Sequence, residues 1–357
     1  MRSIGFLTVR KDQELTYFTD IASVSNDTAV GIFRFTPLDI NPITEQVHGY
    51  QFDKSTKTWG HSIFSIPTFI YDRCFYHVDD LSKKSEPIVK WLKQRPGTTF
   101  LGYGLPNKWE VYKALHEQHP ISSYLPTTVE IRTYMQVKRL LKKEQSIILK
   151  PIAGSQGNGI LHIKLDTNEI IIQSQQQGVS STNTFKKLLD FKLYIENLLK
   201  ETSYLGQRFL RLQQNKKPFD VRILLQKNEI GQWVEQGRGV RIGKENGLVS
   251  NLHNGGEAIP FEEFLNEMPP RRRSLIQEEI QTITNRLPSL LEKKFGRLFE
   301  LGLDIGVTDD GAVWLLDINS KPGRKVITST SLSKKEQLLQ APLHYMNYLE
   351  QQRANIK

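Results

Sequence analysis

The sequence predicts a mixed α+β fold, and three observations lead there. Runs rich in aromatic and β-branched residues are interleaved with segments of helical period along the whole chain. Near the C-terminus, Asp309-Asp310-Gly311 joins two apolar runs, a strong hairpin signal. The apolar share of the 357 residues is 38%, and about 45% once the 24 glycines are added, as in an ordinary globular protein. That length suits two or three domains with a buried core.

In the first hundred residues VGIFRF (30–35), TWGHSIFSIP (58–67) and FIYDRCFYHV (69–78) read as strands. Glu86 to Gln94 reads as a helix that Arg95-Pro96-Gly97 ends, and a domain boundary is expected near residue 100. Asn107 to His116 reads as a helix with Asn107 as its cap and Trp109, Tyr112, Ala114 and Leu115 as its apolar stripe. Short strands follow at 147–149 and 161–165, with a glycine-rich turn between them. Lys187 to Lys200 reads as an amphipathic helix, and 209–214, 219–227 and 232–243 as a strand meander. Pro269-Pro270 open a helix to about Arg286, and Pro288 is expected to start another to about Phe299. Two strands, 301–308 and 312–319, close the series.

The composition excludes several classes. The longest apolar runs, such as Val313-Trp314-Leu315-Leu316, fall far short of the roughly 18 residues a membrane helix needs. The stretch Ile4 to Val9 is closed at once by Arg10-Lys11-Asp12 and lacks a small-residue cleavage site, so a cytoplasmic protein without membrane insertion is expected. The single cysteine, Cys74, excludes an intrachain disulfide and reads as a buried structural thiol. Net charge is +10 and uneven: 12 Lys/Arg stand against 11 Asp/Glu in the first hundred residues, and 36 against 27 thereafter. A basic excess favours anionic partners without choosing among them. Lys/Arg residues are spread along the chain and no RNA-recognition or zinc-finger signature is present, so a nucleic-acid partner is not expected.

Three segments carry chemistry. In the first, a strand delivers Lys150 into the turn Gly154-Ser155-Gln156-Gly157-Asn158-Gly159. Glycines let backbone N–H groups approach an anion, and a lysine adds a point charge suited to phosphate. The segment is neither a Walker A loop nor a dinucleotide fingerprint, and alone it could be a plain hairpin with an exposed lysine. In the second, Asp317 and Asn319 alternate on one strand and Asp304 lies on the other hairpin arm. Three oxygen groups there suit Mg²⁺; the plainer reading is pairing with cations such as Lys321 and Arg324. In the third, Asp220 and Arg222 share a strand face and could pair. Arg238 and Arg241, three apart, should face opposite ways, and Asn251 to Gly256 offers amide and backbone donors.

The order of these segments is more telling than any one of them. A lysine-bearing strand, a glycine turn, Asp-x-Arg, an arginine, Asn-x-His-x-Gly-Gly and an Asp…Asp-x-Asn hairpin resemble, as a set, the ATP-grasp superfamily over roughly residues 105–325. Within it the chain resembles the ribosomal-protein glutamate ligase type, and most of all the YheC/YheD proteins associated with the coat of Bacillus endospores. That likeness runs through FRFTPLDI (33–40), SIFSIPTFIYDR (62–73), NKWEVYKAL (107–115), PFDVRILLQK (218–227), SNLHNGGEA (250–258) and LLDINSKPGR (315–324).

The resemblance implies two α+β lobes clasping ATP, an ATP-grasp region at 101–325 (small lobe about 125–207, large lobe about 208–325), a β-rich N-terminal domain at 1–100 and a C-terminal helical tail at 326–357. It implies Lys150 and Lys108 as phosphate-contacting lysines, with Lys113 a nearby rival for the second. It implies Gly154, Ser155, Gln156, Gly157 and Gly159 as the loop over the phosphates and Gln207 at the adenine side. Asp304, Asp317 and Asn319 would hold Mg²⁺, with Mn²⁺ as an alternative; Arg222, Arg241 and Asn251 would steady the transferred phosphoryl group. The implied reaction joins an unidentified carboxylate to an unidentified amine through an acyl phosphate, and the implied partners include spore coat proteins. Two departures stand out. Aspartate occupies position 317, where relatives usually carry glutamate, and Gln207-Arg208 replaces a commonly acidic hinge. Both support an alternative, an ATP-binding coat or assembly protein that no longer catalyses.

Overall fold

The computed structural model describes residues 2–25, 27, 29–152, 159–176, 179–214, 216–245, 247, 250 and 256–356. These build three six-stranded sheets. The first contains β1 (Arg2–Leu7), β2 (Val30–Phe35), β3 (Gln46–Asp53), β4 (Thr58–Ser65), β5 (Phe69–Asp72) and β6 (Thr99–Phe100), in the order β4-β3-β2-β1-β5-β6. Its β2-β1-β5-β6 part is parallel, because α1 (Leu15–Ser23) and α2 (Asp80–Gln94) supply the crossovers. Such strands are covered on both faces. Ile4, Phe6, Phe69 and Tyr71 pack with α1, whereas Leu7 and Ile70 pack with Val89 and Leu92 of α2.

The second sheet is antiparallel: β7 (Thr128–Ile131), β8 (Ser146–Pro151), β9 (Leu161–Leu165), β10 (Ile170–Gln176), β11 (Val179–Phe185) and β12 (Tyr204–Arg208), ordered β11-β10-β9-β8-β12-β7. One face is buried under α4 (Tyr134–Glu144) and α5 (Leu188–Glu201) through Val137, Leu141, Phe191 and Ile195. Before it stands α3 (Lys108–Leu115), whose cap forms as the sequence suggests: Asn107 Oδ1 accepts from the Glu110 N–H at 3.0 Å.

The third sheet joins β13 (Gln213–Gln214), β14 (Lys217–Lys227), β15 (Trp233–Ile242), β16 (Glu257–Pro260), β17 (Glu300–Val307) and β18 (Val313–Asn319). Period-two alternation sends Phe219, Val221, Ile223 and Leu225 of β14, and Leu301, Leu303 and Ile305 of β17, into the largest core, under α6 (Phe261–Asn266) and α7 (Pro270–Phe295). The same alternation leaves Asp220, Arg222 and Asp304 on the opposite face. α8 (Lys325–Thr330) packs there too, against Leu224 through Val326 and Ile327. The chain then returns to the first sheet. Leu339, Leu343, Tyr345, Met346 and Leu349 of α9 (Lys335–Ile356) share one core with Ile4, Phe6 and Phe18.

Several expected elements differ: the strand expected at 69–78 ends at Asp72, and the helix expected from Glu86 already starts at Asp80. The helix does not break at Pro288; α7 runs unbroken through it. Proline costs a helix about 3 kcal/mol, but Ile276, Ile280, Ile283, Leu287 and Leu291 form one fully buried stripe across that point and outweigh it. The strand expected at 209–214 is reduced to Gln213–Gln214, and Phe209 to Leu212 instead form an irregular strap along the cleft.

Candidate functional site

A cleft of about 650 Å³ lies between the second and third sheets and reaches segments that follow β1 and β5 of the first sheet. It is within the range of small-molecule sites. The third sheet contributes Asp220 and Arg222 from β14, Arg241 from β15, Asp304 from β17, and Asp317 and Asn319 from β18. The second contributes Ile148 and Lys150 from β8, His162 from β9 and Gln207 from β12. Lys108, the first residue of α3, reaches in beside them. Glu14, Arg73, Phe75 and His77 line the far end.

The hairpin reaches this geometry through a bulge. Val313 and Leu315 face the core, so strict alternation would send Asp317 there as well. Instead Ile305 pairs with Leu315 and Asp304 pairs with Asp317, which leaves Leu316 as the extra residue. The bulge reverses the phase, so Leu316, Asp317 and Asn319 all line the cleft. A glycine on β17 makes room for the neighbouring cation: a Cβ at Gly302 would stand 2.8 Å from Arg222 Nη1 and 2.5 Å from Pro322 Cβ.

Every carboxylate here has a cation on it. Lys108 Nζ lies 2.9 Å from Asp317 Oδ2. Asp304 is shared: Arg222 Nε is 2.7 Å from Oδ1, and Arg241 Nη2 is 3.0 Å from Oδ2. Arg241 also grips Asp220 with two hydrogen bonds, at 2.6 and 2.7 Å, and Ser250 Oγ donates to the same carboxylate. Asp220 therefore pairs with Arg241, not with Arg222 as its position two residues away suggests. Directly opposed residues on adjacent strands lie closer than i, i+2 neighbours on one strand, and the register sets Asp220 against Arg241 and Arg222 against Asp304. The pairing of Asp304 and Asp317 with Lys321 and Arg324 is likewise replaced. Lys321 binds Asp72 at 2.7 Å and Arg324 binds Glu14.

Lys150 has no carboxylate within 4 Å among the described residues. Burial and the nearby Lys108 charge lower its pKa to about 8, against the pull of Asp317, Asp304 and Asp220. Burial acts to raise the Asp317 carboxyl, but Lys108, Lys150 and Arg222 outweigh it and hold the group below its ordinary range. Arg238 turns away to Glu235 at 2.5 Å and over the Phe261 ring, whereas Arg241 lines the cleft. Lys113 is exposed and pairs with Glu110 at 2.7 Å, which leaves Lys108 as the lysine of α3 in the cleft. Gln207 lines the cleft, its amide donating to Thr128 Oγ1 at 2.7 Å. Gly159 adopts φ +74° at the start of the β9 approach. Gly154, Ser155, Gln156, Gly157 and Asn251 lie outside the described residues. His162 hydrogen-bonds Ser146 Oγ at 2.8 Å and Gln173 Oε1 at 3.1 Å and stacks on Phe209, with ring centroids 4.0 Å apart. Sequence reasoning missed the apolar wall beside it, Ile148, Leu210 and Leu316, because none sits in a recognisable motif.

Asp304, Asp317 and Asn319 could hold a hard divalent cation. The set offers oxygen donors from three residues, and Asn319 Nδ2 lies only 3.4 Å from Asp317 Oδ2. Asp304 Oδ1 is buried without a hydrogen bond, since the Arg222 N–H beside it is not aimed at it, so an acceptor remains for a ligand. Among the described residues no three His, Cys, Asp or Glu side chains are placed to hold one metal ion, so the third donor would be the Asn319 amide oxygen. Cys74 is buried, and burial pushes its thiol pKa up, away from the thiolate a nucleophile needs. No described helix is long and apolar enough to cross a membrane.

Solved structures of other proteins share this fold. D-alanyl-alanine synthetase A from Vibrio cholerae O1 biovar eltor aligns over 97% of this chain and 99% of its own, with a TM-score of 0.54 at 10% identity. A RiPP-associated ATP-grasp ligase of Chryseobacterium gregarium, solved with ADP and a leader and core peptide, aligns over 96% and 95%, with a TM-score of 0.50 at 13% identity. At those identities the likeness is one of fold. In sequence, the endospore coat-associated protein YheC of Bacillus subtilis (strain 168) is 38% identical over 98% of this chain and 96% of its own length. YheD of the same organism is 22% identical over 96% and 75%. The model of the YheC/D-like ATP-grasp domain matches residues 97–349, and with the cleft and sheets above it, the chain belongs to the YheC/D-like ATP-grasp family.

Proposed function

We propose that the cleft binds ATP with Mg²⁺ and that the chain is an ATP-dependent carboxylate–amine ligase. One observation carries the reading: four cations from four elements, Lys108, Lys150, Arg222 and Arg241, converge with Asp304, Asp317 and Asn319 in a single cleft that continues past them. The apolar wall of Ile148, Leu210 and Leu316, with Gln207, suits the base. Lys150 and Lys108 suit the phosphates, and Lys150, with a pKa of about 8, would gain full charge beside a phosphate. Mn²⁺ could replace Mg²⁺ on the same oxygen donors. When bound, the metal supplies positive charge to the phosphate oxygens.

In the proposed reaction a carboxylate oxygen attacks the γ-phosphorus, the bond to the β-phosphate oxygen breaks, and ADP leaves. An amine then attacks the acyl carbon, inorganic phosphate departs, and the amine gives up a proton. Arg222 and Arg241 offer positive charge where the transferred phosphoryl group would pass. The remainder of the cleft, toward Glu14, Arg73, Phe75 and His77, is where the carboxylate and amine would enter. The name of the Bacillus subtilis relative supports a place at the endospore coat, with coat proteins as candidate partners; a fluorescent fusion that stays diffuse through sporulation would count against it.

The test is thermal unfolding with nucleotide and Mg²⁺. A hundredfold excess over Kd should stabilise the protein by about 2.7 kcal/mol, and Lys150→Ala should abolish the shift. The absence of any shift with purine nucleotides would sink the reading. Binding without phosphate release, across a panel of carboxylates and amines, would favour the non-catalytic alternative that Asp317 suggests.

A further inference from the structure

We infer that Lys108 and Arg222 stand in for the divalent cation in the free protein, so that metal enters this cleft together with a polyphosphate and not ahead of it. The inference rests on the nucleotide reading above and concerns the order in which ligands enter that site.

The observation behind it is the state of the acidic ligands. Asp317 carries Lys108 at 2.9 Å, and Asp304 carries Arg222 and Arg241 at 2.7 and 3.0 Å. Around these ligands four cations (Lys108, Lys150, Arg222, Arg241) face three carboxylates (Asp220, Asp304, Asp317). A bare dication would meet a net positive neighbourhood and would have to displace tethered charges with nothing to receive them. A polyphosphate changes both conditions, because it reverses the local charge and offers the displaced cations new partners.

The three ion-paired cations are not equivalent. Arg241 holds Asp220 bidentately, so it can release Asp304 and stay in place. Arg222 has only Asp304 as an ion-pair partner, and Lys108 has only Asp317, among the described residues. The Lys108–Asp317 pair is also the most open, with side-chain exposures of 29% and 23% against 10% and 14% for Arg222–Asp304. Lys108 sits on a flexible stem at the first position of α3. It is the cation placed to leave first, from carboxylate to phosphate, and its departure uncovers Asp317.

The experiment follows the free Mn²⁺ signal by electron paramagnetic resonance, with and without a non-hydrolysable ATP analogue. Wild type should bind Mn²⁺ weakly alone and about tenfold or more tightly with the analogue. Lys108→Met should bind Mn²⁺ without nucleotide about tenfold more tightly than wild type, Lys108→Gln should do the same, and Lys108→Arg should not. Adding Asp317→Asn to Lys108→Met should erase the gain. Unchanged or weaker Mn²⁺ binding in both neutral variants overturns the inference alone. So does wild-type Mn²⁺ binding that is as tight without the analogue as with it. Failure of the analogue to bind wild type under any metal condition sinks the nucleotide reading, and this inference with it.

Discussion

The cleft has ion pairs at both ends, yet the two ends are built differently. At the junction of the first and third sheets Arg73 is 0% exposed and binds Glu300, itself 2% exposed, at 2.7 Å. Tyr71 Oη donates to the same carboxylate at 2.9 Å and Gln226 Nε2 at 3.2 Å. Arg73 also reaches the Pro322 carbonyl at 3.1 Å and Glu14 at 3.2 Å, and Arg324 holds Glu14 from the other side. At the metal end Asp220, Arg222 and Arg241 are buried as well, but the Lys108–Asp317 pair is partly open to the cleft, and Lys108 and Arg222 have one carboxylate each among the described residues. A buried pair that loses one member leaves an uncompensated charge, whereas an exposed pair can exchange partners at little cost. The junction is thus a lock between the first sheet and β17, the strand that carries Asp304, while the metal end has an exchangeable contact at Lys108–Asp317.

The sharpest way to break this contrast is at the lock. Arg73→Ala should destabilise by about 3–5 kcal/mol, because Glu300 is left charged and buried, read by urea unfolding. Little change would remove the distinction. Next in size is Gly302→Ala. Its Cβ would intrude on Pro322 and the Arg222 guanidinium, so overpacking of about 1–3 kcal/mol is expected. Because Arg222 must shift, the loss should be accompanied by weaker nucleotide-induced stabilisation. A stability loss with nucleotide response intact would mean that Arg222 does not touch the ligand.

Much of the metal end was legible in the sequence, but unevenly. The Asp309-Asp310-Gly311 turn, the alternation of Asp317 with Asn319 and the lysine strand before a glycine turn are local patterns, and the strands and hairpin formed where they indicated. The partners were not legible, because strand register fixes them: nothing local tells Asp220 that Arg241 will lie opposite. The bulge at Leu316 was hidden for the same reason, since an extra residue on one strand exists only relative to its partner. The lock was illegible altogether. Arg73 and Glu300 are 227 residues apart, and Arg73 was read as part of a strand that ends at Asp72. Pro288 misled for a related reason: a local breaker was overruled by a buried stripe whose partners lie elsewhere.

Acid separates the ends by a different route. Asp72 is buried beside the lock, with Lys321 Nζ at 2.7 Å and Lys93 Nζ at 3.4 Å, and its Oδ1 accepts from the Cys74 N–H at 2.9 Å. Burial alone would raise this carboxyl, but the two lysines and the N–H hold it below its ordinary range. A depressed folded pKa means stability that is fully present above the unfolded value, about 3.9, and lost as pH falls through the folded one. Unfolding free energy measured against pH should therefore drop on the acid side. Asp72→Asn should lower the plateau and flatten that limb, and an unchanged limb would refute Asp72 as its source.

The smallest expected effect is the most discriminating. Lys108→Met removes a partly exposed pair whose carboxylate keeps Lys150 and Arg222 nearby, so global stability should change by about 1 kcal/mol or less. The same ammonium contributes to lowering the Lys150 pKa, so its removal should let Lys150 hold its proton to higher pH. Loss of the Lys108 charge should also weaken nucleotide binding, so a protein of nearly wild-type stability would show a clearly reduced thermal response to nucleotide and Mg²⁺. A lysine that served only to fasten α3 to β18 would give the reverse: a large drop in stability with the nucleotide response intact. If Lys108→Met proved as destabilising as Arg73→Ala, both ends would be locks, and the cations of the metal end would not be free to move from carboxylate to phosphate.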